Sequence, residues 1–378
     1  MLINKKSRSL AYSVERIAYS KNLNPIRYPC LAGRQALSSK VILAYCILIF
    51  TLFLCGCQDK TLHKDTRAMM GTFVEVTSAD KEAPGIVFDE IRRIENLLSK
   101  YKEDSEISRL NRFGEQKVSP DTFYILQKAK ELWQESGGAF DVTVGPLMDI
   151  WGFTDKNYRV PGKAEIEQAL ILVGSDKIIF NPDDYVVKLK FRGMKLDLGA
   201  IAKGYAADRA VKKLKERGIK SCLINLGGQV YCLGDKSGKP WNIAVKDPRG
   251  ADFVDYLKLQ DISAATSGDY EQYFVEKDKR YSHILDPRTG FPADSGVLSV
   301  TVVAASGLIT DSLATSIFVL GKEEGMRLAN KFPDVKVKII NNNPGTLLHP
   351  KQEVSPKENK VKIGDTSPIG PRSVPGLE

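Results

Sequence analysis

The stretch that most constrains this chain is residues 195–211, KLDLGAIAKGYAADRAV. An apolar-alternating run ends in Asp197, Gly199 follows without a side chain, and Ala202, Ala206 and Ala210, with Leu214 beyond, recur at helical spacing. The pattern reads as strand, tight turn and helix. A helix entered straight from a glycine turn aims unpaired backbone N–H groups and the positive end of its dipole at one spot, a setting for phosphate. Lys203, in the first turn, adds a full positive charge. Asp197 stands where a carboxylate could hold a divalent cation or hydrogen-bond a ligand ring. The plainer alternative is a capping aspartate beside a solvated lysine.

The formal charge of the 378 residues is +9. Most of it lies in residues 1–40, where eight Lys/Arg face the single acid Glu15. The remainder is close to neutral, so a nucleic-acid partner, which needs a basic face on the folded part, has no support. Residues 41–54, VILAYCILIFTLFL, carry no charge. Fourteen residues are too few to span a bilayer comfortably and suit the apolar region of a signal peptide, with a simple uncleaved anchor as the alternative. The run ends in Leu54-Cys55-Gly56-Cys57, which resembles a bacterial lipobox. Residues 1–56 therefore read as a type II, lipoprotein signal peptide. Cys57 would carry the lipid and anchor the protein to a membrane of the bacterial cell envelope, facing the periplasm.

Of the six cysteines, only Cys222 and Cys232 then remain, on two runs flanking Gly227-Gly228. A two-residue hairpin turn there sets Cys222 opposite Leu233 and Cys232 opposite Leu223, with the thiols on opposite faces of the sheet. That register disfavours a disulfide, and two cysteines exclude a four-cysteine metal site.

Residues 57–66 read as a polar tether, 67–345 as the folded domain, and 346–378, rich in Pro, Lys and Ser, as a disordered tail. Within the domain, 72–77 alternates as a strand and 86–98 is an amphipathic helix. Ser105 caps a short helix to Asn111, and Ser119-Pro120 and Gly137-Gly138 start and stop the next. A helix over 164–172 and a hairpin over 178–196 follow, the hairpin turning at Asp183-Asp184. Further strands lie at 241–245, 256–259, 299–304 and 335–340, and a helix opens at Asp311 and ends at Gly321. Irregular alternation with several hairpins argues for an α+β fold, its sheets mixed and mostly antiparallel with flanking helices.

Asp311 and Thr315 are four apart, so on a helix they share a face and could place a carboxylate and a hydroxyl oxygen on one hard cation. An N-capping aspartate with a core-facing threonine is the alternative. Oxygen ligands without a Cys/His cluster favour Mg²⁺ over zinc. Of the three histidines, His63 falls in the tether and His349 in the tail, which leaves His283 as the candidate general base. A buried structural histidine is the other reading.

Seven motifs occur in the order found in one family: Met70-Gly71-Thr72, Ala139-Phe140-Asp141, the run 197–204 (DLGAIAKG), Asn225-Leu226-Gly227-Gly228, Thr266-Ser267-Gly268, the run 283–287 (HILDP) and 311–315 (DSLAT). Over about residues 67–345 the chain resembles the ApbE family of FAD:protein FMN transferases. The resemblance implies a single ApbE-like, T-fold-like catalytic domain. It implies FAD as donor substrate, Mg²⁺ as cofactor, and transfer of FMN through a phosphoester to a Thr or Ser hydroxyl of an acceptor protein, releasing AMP. By matching motif, Met70, Tyr101, Ala139, Phe140, Asp141, Asp197, Lys203 and Ile284 would line the FAD. Ala200, through its carbonyl, would join Asp311 and Thr315 at the metal, with His283 and Lys203 as the catalytic pair. A membrane redox subunit is the expected acceptor. Gln229 stands where the family more often has aspartate after the glycine pair. A Mg²⁺-dependent FAD pyrophosphatase and a non-catalytic flavin-binding lipoprotein are the competing readings.

Overall fold

The structure is a computed structural model that describes residues 61–341. The signal segment, Cys57 and the tail expected beyond residue 345 lie outside the described residues. The strands are β1 (His63–Met69), β2 (Thr72–Ser78), β3 (Glu115–Lys117), β4 (Ile178–Asn181), β5 (Val186–Leu189), β6 (Cys222–Leu226) and β7 (Gln229–Leu233). They continue as β8 (Trp241–Lys246), β9 (Phe253–Leu259), β10 (Ile262–Gly268), β11 (Tyr273–Glu276), β12 (Lys279–Ser282), β13 (Val297–Ala304) and β14 (Lys336–Asn341). The helices are α1 (Ala83–Leu98), α2 (Glu106–Phe113), α3 (Pro120–Glu135), α4 (Gly145–Ile150), α5 (Lys163–Ile171), α6 (Ala202–Glu216) and α7 (Gly307–Ala329). This is the α+β arrangement expected.

Its centre is a seven-stranded sheet in the order β1-β2-β6-β7-β10-β13-β14. Every neighbouring pair in it is antiparallel. On one face α1 packs against α6, α6 against α7, and α7 against β10 and β13. On the other the β8–β9 hairpin lays Trp241 and Leu259 onto Val230, Ala264 and Val303. Both faces of β13 are therefore covered, and all eight of its residues are buried. A three-stranded sheet, β3-β5-β4, and the helical segments between α2 and α5 lie outside this sandwich.

The β6–β7 hairpin has the register expected, with Cys222 opposite Leu233 and Cys232 opposite Leu223. The two glycines of its turn take positive φ, 57° and 97°. Cys222 packs under the helices and Cys232 under the β8–β9 hairpin, both as free thiols. Burial pushes each thiol up to about 12, so neither supplies a thiolate near neutral pH.

Several boundaries differ from expectation. β1 starts at His63, inside the supposed tether, because Met70-Gly71, both at positive φ, turns the chain back so that His63 pairs with Ser78. Most of β1 is solvent-exposed, so it carries no apolar alternation to read. The helix of Asp311 begins four residues before it, at Gly307: Ser306 is the N-cap, its Oγ accepting the Ile309 N–H, and Asp311 lies in the second turn. Gly321, at φ 77°, interrupts this helix, which resumes and runs to Ala329. Ser105 and Ser119 cap α2 and α3 as read from the sequence.

Candidate active site

Backbone pairing brings together motifs that are distant in sequence. The Asp197 N–H donates to the Val142 carbonyl at 2.7 Å, and the Gly145 N–H to the Lys195 carbonyl at 3.2 Å. The segment with Ala139, Phe140 and Asp141 thus runs beside the strand-like approach to α6. At its far side α6 meets α7 through two glycines. A Cβ on Gly204 would stand 2.0 Å from the Gly307 carbonyl oxygen, so only glycine permits this approach.

Each of these helices caps the other. Asp311 of α7 accepts the Gly204 N–H at 2.9 Å, and Asp208 of α6 accepts the N–H groups of Gly307 and Leu308 at 2.6 and 3.0 Å. Asp311 is therefore a capping aspartate after all, but for the neighbouring helix. The free N–H groups expected at the start of α6 are partly used, since Ala202 donates to Leu198 and Gly204 to Asp311. What remains for an anion there is the helix dipole and Lys203. The Lys203 ammonium lies 3.9 Å from Asp311 Oδ1 and donates to the Gly199 carbonyl at 3.0 Å.

Lys203 and His283 both line a cleft of about 810 Å³, as do Met70, Glu271 and Gln272. His283 Nδ1 lies 3.0 Å from the Gln272 carbonyl oxygen, which can only accept a hydrogen bond and so fixes hydrogen on Nδ1 and a free lone pair on Nε2. Burial pushes the imidazole down to about 4, and Lys203 pushes the same way against the Gln272 bond and Asp197. His283 is thus neutral across the neutral range, with its Nε2 lone pair unprotonated. Met70, at φ 50°, is held by its N–H on Glu95 at 2.8 Å.

Asp197 is tied to Lys100, a residue to which sequence reasoning assigned nothing. The ammonium is 2.7 Å from Asp197 Oδ2, while Oδ1 accepts the Gly199 N–H at 2.9 Å. Burial raises the carboxyl, but Lys100 and the Gly199 N–H outweigh it and hold Asp197 below the usual carboxylate range. An ammonium in this position disfavours a divalent cation on Asp197 and leaves the ligand-bonding role. Lys100 also lies 5.1 Å from the Tyr101 ring centroid, and both line a smaller cavity of about 290 Å³. Tyr101 is 68% exposed.

Other expected contacts are placed differently. The side chains of Ala139, Phe140 and Ile284 are buried in the core, so toward a ligand these positions offer chiefly backbone. The Asp141 carboxylate is turned inward onto Thr143 and Ser175, accepting the backbone N–H and the hydroxyl of each. Its role is to hold the 139–145 loop. Gln229 is buried and bonds Ser263 and, more weakly, Thr310, behind the cleft. No sequence pattern singled out Lys100, Glu95, Gln272 or Asp208, because each acts through one contact made by the tertiary fold.

Among the described residues no three His, Cys, Asp or Glu side chains converge as a metal cluster. The expected set differs in kind: one carboxylate, Asp311, with the Thr315 hydroxyl and the Ala200 carbonyl. Thr315 Oγ1 is 3.2 Å from Ser267 Oγ, and Asp311 Oδ1 faces Lys203. These donors are all hard oxygens and fit Mg²⁺ by type.

Residues 70–339 match the model of the ApbE family. The chain belongs to the ApbE family. A relative from Klebsiella pneumoniae, named FAD:protein FMN transferase, is 33% identical over 316 residues, which cover 81% of this chain and 98% of that one. One of the same name from Treponema pallidum is 34% identical over 273 residues, covering 67% and 75%. Among solved structures, an ApbE protein from Thermotoga maritima superposes with a TM-score of 0.69 at 35% identity, covering 74% of this chain and 94% of its own. The flavin transferase ApbE from Vibrio cholerae gives 0.67 at 30%, covering 75% and 94%. The ApbE fold thus extends over the sheet, the helices and the cleft described above.

Proposed function

We propose that the chain is an FAD:protein FMN transferase that moves FMN from FAD onto a Thr or Ser hydroxyl of an acceptor protein. The class of enzyme, a transferase, is carried by the names of its curated relatives. The observation that best supports the chemistry is the meeting of Lys203 and a neutral His283 in a single cleft, with Asp197 acting on His283 from beside it. In this reading His283 Nε2 takes the acceptor hydroxyl proton as the oxygen attacks the FMN phosphorus. The new P–O bond forms as the bond from that phosphorus to the bridging oxygen breaks, and AMP leaves with that oxygen. Lys203, at the positive end of α6, offsets the negative charge of the pyrophosphate. Mg²⁺, held by Asp311, Thr315 and the Ala200 carbonyl, would supply further charge neutralisation there. Asp197, fixed by Lys100, and Tyr101 orient the flavin. The proposal extends to location: a lipid on Cys57 holds the enzyme at the cell envelope facing the periplasm, beside membrane redox subunits.

The test is incubation with FAD, Mg²⁺ and a candidate acceptor. Covalent flavin formed together with AMP is the expected outcome. Free FMN with AMP in place of covalent flavin makes the enzyme a pyrophosphatase, and intact FAD makes it a binding protein. Asp311→Ala is expected to lose turnover; a variant that stays active with unchanged Mg²⁺ dependence removes Asp311 from the metal site.

A further inference from the structure

The cleft extends beyond Lys203 and His283. Of the residues expected to line FAD, only Met70 and Lys203 border it. The rest runs beneath β8, whose residues 242–246 all line it. Successive side chains of a strand point to opposite faces, so five consecutive lining residues mean that the cleft is bounded by the edge of β8. β8 pairs with β9 alone. Its other edge, turned to the cleft, has no backbone hydrogen-bond partner among the described residues. An edge of that kind is a template for another extended chain.

The floor suits such a chain. Glu75 of β2 and Asn225 of β6 stand directly opposite each other, with Leu223 two residues along β6, and all three line the cleft. Phe73, two residues from Glu75 and so on the same face, is 72% exposed, an aromatic side chain with no core to fill. Water as nucleophile would need none of this. A protein acceptor would, because its hydroxyl must be carried to His283 by a backbone that fits between the sheet and the hairpin.

We infer that the free edge of β8 docks the acceptor: an extended segment of the partner protein pairs with residues 242–246, above Leu223, Asn225 and Glu75, and delivers its Ser or Thr hydroxyl to His283. The inference rests on the transferase reading and names the surface that reading requires. Backbone pairing supplies affinity with little demand on sequence, and register selects which hydroxyl reaches the phosphorus. The bond that forms is acceptor Oγ to phosphorus, the bond that breaks is phosphorus to the bridging oxygen, and the proton passes to His283.

The full-length protein with FAD and Mg²⁺ is presented with an array of short peptides, each holding one central threonine between varied flanks. Because edge pairing tolerates sequence, some members should gain covalent flavin, and the best of them serves as probe. Its binding should slow amide hydrogen exchange at residues 242–246. Ala244→Pro and Val245→Pro are then compared. Adjacent N–H groups point to opposite edges, so one of these variants removes an outward donor and should raise the KM for the probe about tenfold. Unchanged exchange at 242–246 overturns the inference without need of a variant, as does an unchanged probe KM in both proline variants. An array that gains no covalent flavin while FAD is still cleaved to FMN and AMP also overturns it. Intact FAD throughout strikes at the transferase reading instead.

Discussion

The Gln272 carbonyl decides what His283 can do. Because it holds hydrogen on Nδ1 and burial depresses the imidazole to about 4, the proposed base is already deprotonated well below the ordinary histidine range near 6.5. The acidic limb of kcat/KM for the acceptor is therefore expected near pH 4, rate falling as pH drops through it and flat across neutrality. A pH profile with its limb at 6–7, or one unmoved in His283→Asn, would remove His283 as the base. Lys100 bears on Asp197 in the same way. Breaking a largely buried pair from one side costs ~3 kcal/mol, so Lys100→Met should lower stability by about that much and weaken FAD binding, with Lys100→Arg restoring both. Asp197 titrates below the usual range when folded, so the contribution of the pair is complete at neutral pH and is lost as pH falls through that depressed value. A Lys100→Met protein with unaltered FAD affinity would make the pair purely structural. His283 could be found from sequence because elimination left it alone in the folded part, whereas Lys100 could not, since a lysine beside a loop tyrosine has no signature until the fold sets it against Asp197.

The crossing of α6 and α7 sets the distance between Lys203 and Asp311. It is held by two glycines in contact and by two carboxylates that each cap the opposite helix. Gly204→Ala would put a methyl 2.0 Å from the Gly307 carbonyl oxygen and must drive the helices apart. Such overpacking costs ~1–3 kcal/mol, and here it also shifts Lys203, so activity should fall further than thermal stability alone accounts for. Asp208→Ala leaves two N–H groups of α7 without their acceptor and is expected to cost ~2 kcal/mol by denaturant unfolding. A neutral result for Gly204→Ala would mean that the crossing is loose. The elements themselves were largely legible: caps at Ser105 and Ser119 and the register of β6–β7 follow from local chemistry. β1 and β10 were not, for opposite reasons. β1 is mostly exposed, with only Met69 buried, and β10 is mostly buried, so neither shows an apolar period of two. Asp311 was legible as a cap, but not as the cap of another helix, because the partner lies 107 residues away.

The early start of β1 would limit how far the folded domain stands from a membrane if Cys57 holds it there. If Cys57 carries the lipid, only residues 58–62 separate it from His63, and an extended chain of that length reaches no more than ~20 Å. A tether through residue 66 would have allowed nearly twice the reach. The cleft would then work close to the bilayer surface, where an acceptor held in the same membrane is concentrated and a soluble one is not. Acyl chains contribute ~0.8 kcal/mol per buried CH₂, so one chain binds reversibly while two or more give a lasting anchor. Cys57→Ser is expected to leave an unprocessed precursor of higher mass, seen by mass spectrometry of the membrane and soluble fractions. A second variant with about ten flexible residues inserted after Gln58 should keep its turnover of FAD with a soluble acceptor and change its rate with a membrane-held one. Normal-sized, detergent-extracted protein in Cys57→Ser would refute the anchor, and equal rates on the membrane-held acceptor with either tether would refute the dependence on reach.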